Sequence, residues 1–69
     1  MPRYVVGISF KDKIVDTPMI PGRDTEEALA KAERYTRIHW SNLPHLTLRL
    51  QRVGTRRVLM ERRLSGPPA

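Results

Sequence analysis

Pro21-Gly22-Arg23-Asp24-Thr25-Glu26-Glu27-Ala28-Leu29-Ala30-Lys31-Ala32 is a turn that runs straight into a helix start. Asp24 with Glu27 three residues later forms an N-cap and capping box, and Glu26 and Glu27 suit the positive end of the helix dipole. Ala28, Leu29, Ala32, Tyr35 or Thr36, and His39 continue a stripe at helical spacing, so this helix has one face to bury. Glu27–Lys31 and Glu33–Arg37 are i,i+4 pairs for its wet face. The helix is expected to stop near Trp40, before Ser41-Asn42-Leu43-Pro44.

On either side of this helix the pattern changes to a period of two. Tyr4, Val6, Ile8 and Phe10 alternate with Arg3, Val5, Gly7, Ser9 and Lys11, which is a strand with one buried face. After the polar break Lys11-Asp12-Lys13, residues 14–20 resume a β-rich run that Pro18 and Pro21 end. Pro18 has no N–H to give a ladder, so this second strand belongs at an edge or stops early. Leu46, Leu48 and Leu50 alternate with His45, Thr47, Arg49 and Gln51. A turn at Val53-Gly54-Thr55 leads to a last strand in which Val58, Met60 and Leu64 are expected to point inward.

The order is therefore ββαββ. This is an α+β domain over residues 1–64, a four-stranded antiparallel sheet with one helix packed on one face. Its core is expected to hold Tyr4, Val6, Ile8, Phe10, Leu29, Ala32, Leu46, Leu48, Leu50, Val58 and Met60. Residues 65–69, Ser-Gly-Pro-Pro-Ala, read as a disordered Pro-rich tail.

The chain has 69 residues, a size near the lower limit for folding unaided, so a homodimer is in keeping with it. It has no cysteine, which removes disulfides and thiolate metal cages, and a cytoplasmic setting is the default expectation. No apolar run reaches the ~20 residues that span a bilayer, and the N-terminus lacks a signal-peptide core, so no membrane partner is expected. His39 and His45 are the only histidines and stand in no ligand spacing. Ser9, Ser41 and Ser65 stand in no nucleophile motif, and Gly22 and Gly54 belong to no phosphate loop. Neither an enzyme nor a metal site nor a bound cofactor is expected.

Charge carries the functional reading. Residues 1–48 hold seven basic and six acidic side chains, whereas residues 49–63 hold six arginines and one glutamate. Ten of the thirteen basic residues in the chain are arginine, the side chain suited to bidentate contact with phosphate. Arg49, Gln51, Arg52, Arg56, Arg57, Arg62 and Arg63 are the candidate contacts to a nucleic acid, a nucleoprotein complex or an acidic protein surface. On a two-stranded ribbon entering a DNA groove, Arg would read guanine and Gln adenine. Strand one points its aromatics, Tyr4 and Phe10, toward the core, which disfavours a base-stacking platform for single strands. The alternative is a protein-only interaction module or antitoxin-like inhibitor using Trp40, Leu43, Leu59 and the exposed helix face. A lone Trp at a helix end, as Trp40 is, more often closes the bottom of a small core.

The run from Ile20 to Ala32 resembles the strand-to-helix junction of HicB-type antitoxins, although the strands before it lack that family's Asp- and Gly-rich turn. In size, charge and ββαββ order the whole chain resembles small accessory proteins of phages and mobile elements, some anti-CRISPR proteins among them. That resemblance implies a stoichiometric blocker seated on a nucleic-acid-handling complex. It carries no residue roles with it.

Overall fold

The structure is a computed structural model that describes residues 2–64. The elements run β1 (Arg3–Phe10), β2 (Lys13–Asp16), β3 (Met19–Pro21), α1 (Thr25–His39), β4 (Leu46–Arg52) and β5 (Val58–Leu64). All strand pairs are antiparallel, in the order β2-β1-β4-β5, with β3 also pairing β1. The fold is thus α+β with one helix, as the sequence indicates, but the sheet has five strands and the order is β-β-β-α-β-β.

Pro18 accounts for the extra strand. Residues 13–21 line a single edge of β1, with β2 opposite Ile8–Phe10 and β3 opposite Arg3–Val5. Between the two, Pro18 cannot donate to a ladder, and only its carbonyl contributes, accepting from Val6 N–H at 3.0 Å. The β1–β2 connection is the two-residue loop Lys11-Asp12, closed by the Phe10–Lys13 pair. Both loop residues have positive φ, 50° and 64°, the handedness that matches strand twist in a tight hairpin.

Two irregularities decide which side chains face the helix. At the first, Ile8 opposes Asp16 while Ser9 opposes Ile14, so Val15 is the extra residue of a bulge. Ile14 and Asp16 consequently lie on opposite faces, Ile14 out and Asp16 toward α1. At the second, Leu50 opposes Met60 and Gln51 opposes Val58, so Leu59 is bulged. This reverses the expected phase only at the start of the last strand, before the bulge. Val58 joins Gln51 on the outer face and is 43% exposed instead of lying in the core, while Met60 and Leu64 keep the helix side.

Tyr4, Val6, Ile8, Ile20, Ala28, Leu29, Ala32, Leu46, Leu48 and Leu50 form the buried core, with Phe10, Met60, Tyr35, Trp40 and Leu43 packed against it. Ile20 is buried because β3 lays it beside Tyr4. Helix α1 begins as its sequence dictates, with Asp24 as N-cap accepting from Glu27 N–H at 2.8 Å. The Glu27 carboxylate reaches one residue further than the expected capping box, to the backbone N–H and guanidinium of Arg23. Gly22 allows the helix to sit this close to β3, since a Cβ there would lie 2.9 Å from Ala28 N. Thr36 is buried, its hydroxyl donating back to the Ala32 carbonyl. His39 is exposed and stacks against Tyr35, with ring centroids 4.3 Å apart.

One face of the sheet is covered by α1 and the other is open. No helix among the described residues is long and apolar enough to cross a membrane. The expected tail, residues 65–69, lies outside the described residues.

Candidate nucleic-acid interface

Register assigns each candidate cation to a face. Arg49 opposes Gly7 on β1 and Glu61 on β5, and Arg63 opposes Thr47, so both belong to the open face. Arg62 opposes Leu48 and therefore lies on the helix side, where its guanidinium pairs with Glu33 of α1 at 2.6 Å. Glu33 is thus engaged across the fold by β5 and not by Arg37, one turn along its own helix. Arg62 is a brace between sheet edge and helix, and it does not extend the basic outer surface. Arg49 is also engaged, with Glu61 at 3.0 Å, although both side chains remain about half exposed.

Arg52, Arg56, Arg57 and Arg63 form no ion pair with another described residue, and all four are exposed. The first three sit at or within the β4–β5 turn, where Gly54 takes φ 90°. Arg3 joins them: β1 runs antiparallel to β4, Tyr4 opposes Arg52, and the Arg3 carbonyl accepts from Val53 N–H at 3.2 Å. Sequence reasoning missed Arg3 because nothing local marks it. Only the β1–β4 pairing brings it to a turn 50 residues away.

Gln51 faces outward but its amide donates to the Arg56 carbonyl at 3.3 Å, so its donor helps shape the turn. The ribbon expected to enter a groove is also absent in that form. β4 is an interior strand flanked by β1 and β5, so the hairpin is half of a broad sheet. What projects beyond the sheet is the turn itself, residues 53–57.

A second polar cluster occupies the opposite end of the open face. Ser9, Lys11, Asp12, His45, Thr47, Arg49, Glu61 and Arg63 line an open depression of about 420 Å³. From Arg52 at the turn to Thr47 beside this depression is five residues of β4, roughly 17 Å at strand rise. Cations therefore mark both ends of the face, while Val5, Gly7 and Gln51 lie between them and Ile14 and Met19 fringe one edge.

The residues named for a protein-only interface do not form one surface. Trp40 and Leu43 pack against the core below α1, and the Trp40 indole N–H donates to Asp16 Oδ2 at 3.0 Å on the β2 edge. Leu59 is on the bulge of β5, the opposite edge of the sheet. Asp16 was not singled out by sequence, yet its carboxylate also accepts from the Tyr35 hydroxyl at 2.7 Å and from Thr17 N–H at 2.8 Å. The Tyr35 hydroxyl, and after it the Trp40 indole, hold Asp16 below the usual carboxylate range against an opposing desolvation. The same bond pushes the Tyr35 phenol up. Asp is depleted in strands, so an aspartate inside a β-rich run was the available signal that a partner lay across the fold.

Among the described residues no three His, Asp or Glu side chains are grouped as metal ligands. No protein-family model matches the chain, and no curated protein or solved structure matches it either.

Proposed function

We propose that this protein is a small, non-enzymatic binding protein that docks the open face of its sheet and the β4–β5 turn on nucleic-acid phosphates. The observation that carries this reading is a group of exposed arginines without an ion pair among the described residues: Arg3, Arg56 and Arg57 at the turn and Arg63 further along the open face, with Arg52 beside them at the end of the sheet. Exposed guanidinium groups on a common surface suit bidentate phosphate contact and the release of condensed counterions.

A face bearing cations about 17 Å apart is long enough to span roughly five base-pair steps at 3.4 Å each. Because β4 lies inside the sheet, the reading is of a surface laid across backbones, with the turn as the one projection small enough to probe a groove. With the aromatic rings Tyr4 and Phe10 directed to the core side, the outer strands supply no stacking platform, which favours contact with phosphate over unstacked bases. A stoichiometric blocker of a nucleic-acid-handling complex, as the likeness to small phage accessory proteins implies, would use the same cations in competition for the same phosphates.

The test is binding to labelled duplex DNA, single-stranded DNA and RNA at roughly 50 and 200 mM salt, the range over which phosphate contacts lose most affinity. Affinity that falls steeply with salt, with a slope reduced by about one for each of Arg56→Ala and Arg57→Ala, supports the reading. Absence of binding at both salt concentrations refutes it.

A further inference from the structure

The depression at the β1–β2 end of the open face has features that a general phosphate-binding surface does not need. Every residue that lines it is polar or charged. Lys11, Asp12 and His45 are the non-glycine residues with positive φ among those described, and all three line it. Hairpin twist explains the handedness of the Lys11-Asp12 turn but not its composition. Such turns favour Asn or Asp followed by Gly, and a lysine in the left-handed region is strained. His45 takes the same conformation at φ 54° immediately before β4.

The side chains have complementary roles. Ser9 is only 8% exposed, and its hydroxyl and that of Thr47 form no hydrogen bond with another described residue, so two donors remain free at the floor. Arg63 supplies a cation at the wall, and Lys11 lies at the rim with its ammonium 5.3 Å from the centroid of the helix-side Phe10 ring, from which it swings to reach a ligand. Arg49 also lines the depression, its charge met by Glu61 at 3.0 Å. Asp12 and Glu61 add acceptors to the rim, which a free hydroxyl on the ligand would satisfy.

We propose that this depression binds a phosphate monoester, either the terminal phosphate of a nucleic-acid strand or that of a free nucleotide. A monoester carries a charge of about −1.5 to −2 at neutral pH and three acceptor oxygens, enough to engage Lys11, Arg63 and the two hydroxyls together. A phosphodiester in mid-strand has one charge and fewer free oxygens. The strand-end case deepens the function proposed above and rests on it, whereas the nucleotide case does not.

Lys11→Asn provides the decisive variant, because asparagine is well suited to the left-handed turn and the variant is expected to melt at a higher temperature than the parent. Binding of 5′-phosphorylated and 5′-hydroxyl oligonucleotides of one sequence is compared at fixed salt. In parallel, backbone amide NMR shifts are followed during titration with inorganic phosphate, sulfate and a nucleoside 5′-monophosphate. The expected result is a roughly tenfold preference for the 5′-phosphorylated strand, lost in Lys11→Asn and in Arg63→Ala, with phosphate shifting the Ser9, Lys11 and Thr47 amides more than sulfate does.

Oligonucleotides that bind with steep salt dependence but equally with and without the 5′-phosphate, with no nucleotide shifts at these amides, overturn the proposal and leave the phosphate-backbone reading standing. Nucleotide shifts confined to the depression, with no oligonucleotide binding at all, support the site with a free nucleotide as its ligand and refute the backbone reading. Shifts of equal size with phosphate and sulfate that persist in Lys11→Asn overturn the site.

Discussion

Removing the Asp16 carboxylate is expected to detach the β2 edge from the C-terminal end of α1. Three donors converge on this one group: Tyr35 at 2.7 Å, Trp40 at 3.0 Å and Thr17 N–H at 2.8 Å. Hydrogen bonds to a charged acceptor contribute about 1.5–3 kcal/mol each when well shielded, but these groups are partly exposed and recover water when the carboxylate is lost. Taking about 1 kcal/mol for each of the two side-chain bonds and nothing for the exposed Thr17 bond, Asp16→Ala costs about 2 kcal/mol. For a domain of this size that corresponds to a fall in Tm of roughly 8–16 °C. It is also a large part of the 3–5 kcal/mol that such a small core supplies.

Trp40 is the only tryptophan in the chain, so its emission reports unfolding and the Asp16 contact together. Urea titration of Asp16→Ala, Tyr35→Phe and the double variant isolates the pair, with an expected coupling of about 1 kcal/mol. Effects that add to within about 0.3 kcal/mol would mean that the bond to Tyr35 stabilises nothing, and the reasoning would fail. The pH dependence follows from the directions of the two shifts. Asp16 is depressed in the folded state, so its contribution is present above its unfolded value near 3.8 and is lost as pH falls through the lower folded value. Tyr35 is raised, so its contribution is present below its unfolded value of 10.0 and disappears as pH rises through the higher folded value. In Asp16→Asn the acid-side loss due to this group should vanish from a Trp40-monitored pH titration.

Gly22→Ala places a methyl 2.9–3.0 Å from backbone and Cβ atoms of Ala28, an overpacking expected to cost about 1–3 kcal/mol by urea denaturation. Leu48→Ala empties the fully buried centre of β4 and should cost about 2–5 kcal/mol, with the Tm falling accordingly. Arg62→Ala and Arg63→Ala, neighbours in sequence, should behave oppositely. The first loses up to about 1 kcal/mol of stability from a surface pair and leaves oligonucleotide affinity unchanged, while the second weakens binding at unchanged Tm.

The elements were legible where one residue determines its own local structure. Asp24 and Glu27 set the helix start, and the leucine alternation of residues 46–50 set an inward face that the structure retains. Pro18 announced an edge, though not that the strand would resume beyond it at Met19. What alternation could not reveal were the bulges at Val15 and Leu59, because an inserted residue keeps composition unchanged while reversing every side chain beyond it. Val58 was misplaced into the core for this reason. Asp16 and Arg3 escaped notice because their partners are supplied by strand pairing and helix docking, over separations that no local window covers.

The alternation of β5 also bears on function. Past the bulge at Leu59 the expected phase is kept, so Arg62 falls opposite Leu48 and is drawn to Glu33, while Arg63 falls opposite Thr47 and faces solvent. Six arginines in residues 49–63 therefore overstate the basic outer surface. Arg62 belongs to the other face, and Arg49 is met by Glu61. With Arg3 added by the β1–β4 pairing, the sheet and its turn carry five arginines without an ion pair among the described residues, Arg3, Arg52, Arg56, Arg57 and Arg63, while Arg34 and Arg37, also unpaired, lie on α1. Arg52 is in phase with the helix-side residues Leu48 and Leu50, so it reaches a phosphate only from the end of the sheet. About four contacts are then available, which predicts a log-log salt slope near −3.6 on duplex DNA and −2.8 on single strands. A count made from sequence charge alone would predict slopes half as large again, near −5.4 and −4.2. A measured duplex slope close to the steeper value would show that Arg49 and Arg62 abandon their carboxylates on binding, and the division of the hairpin between the two faces of the sheet would then have no consequence for the partner.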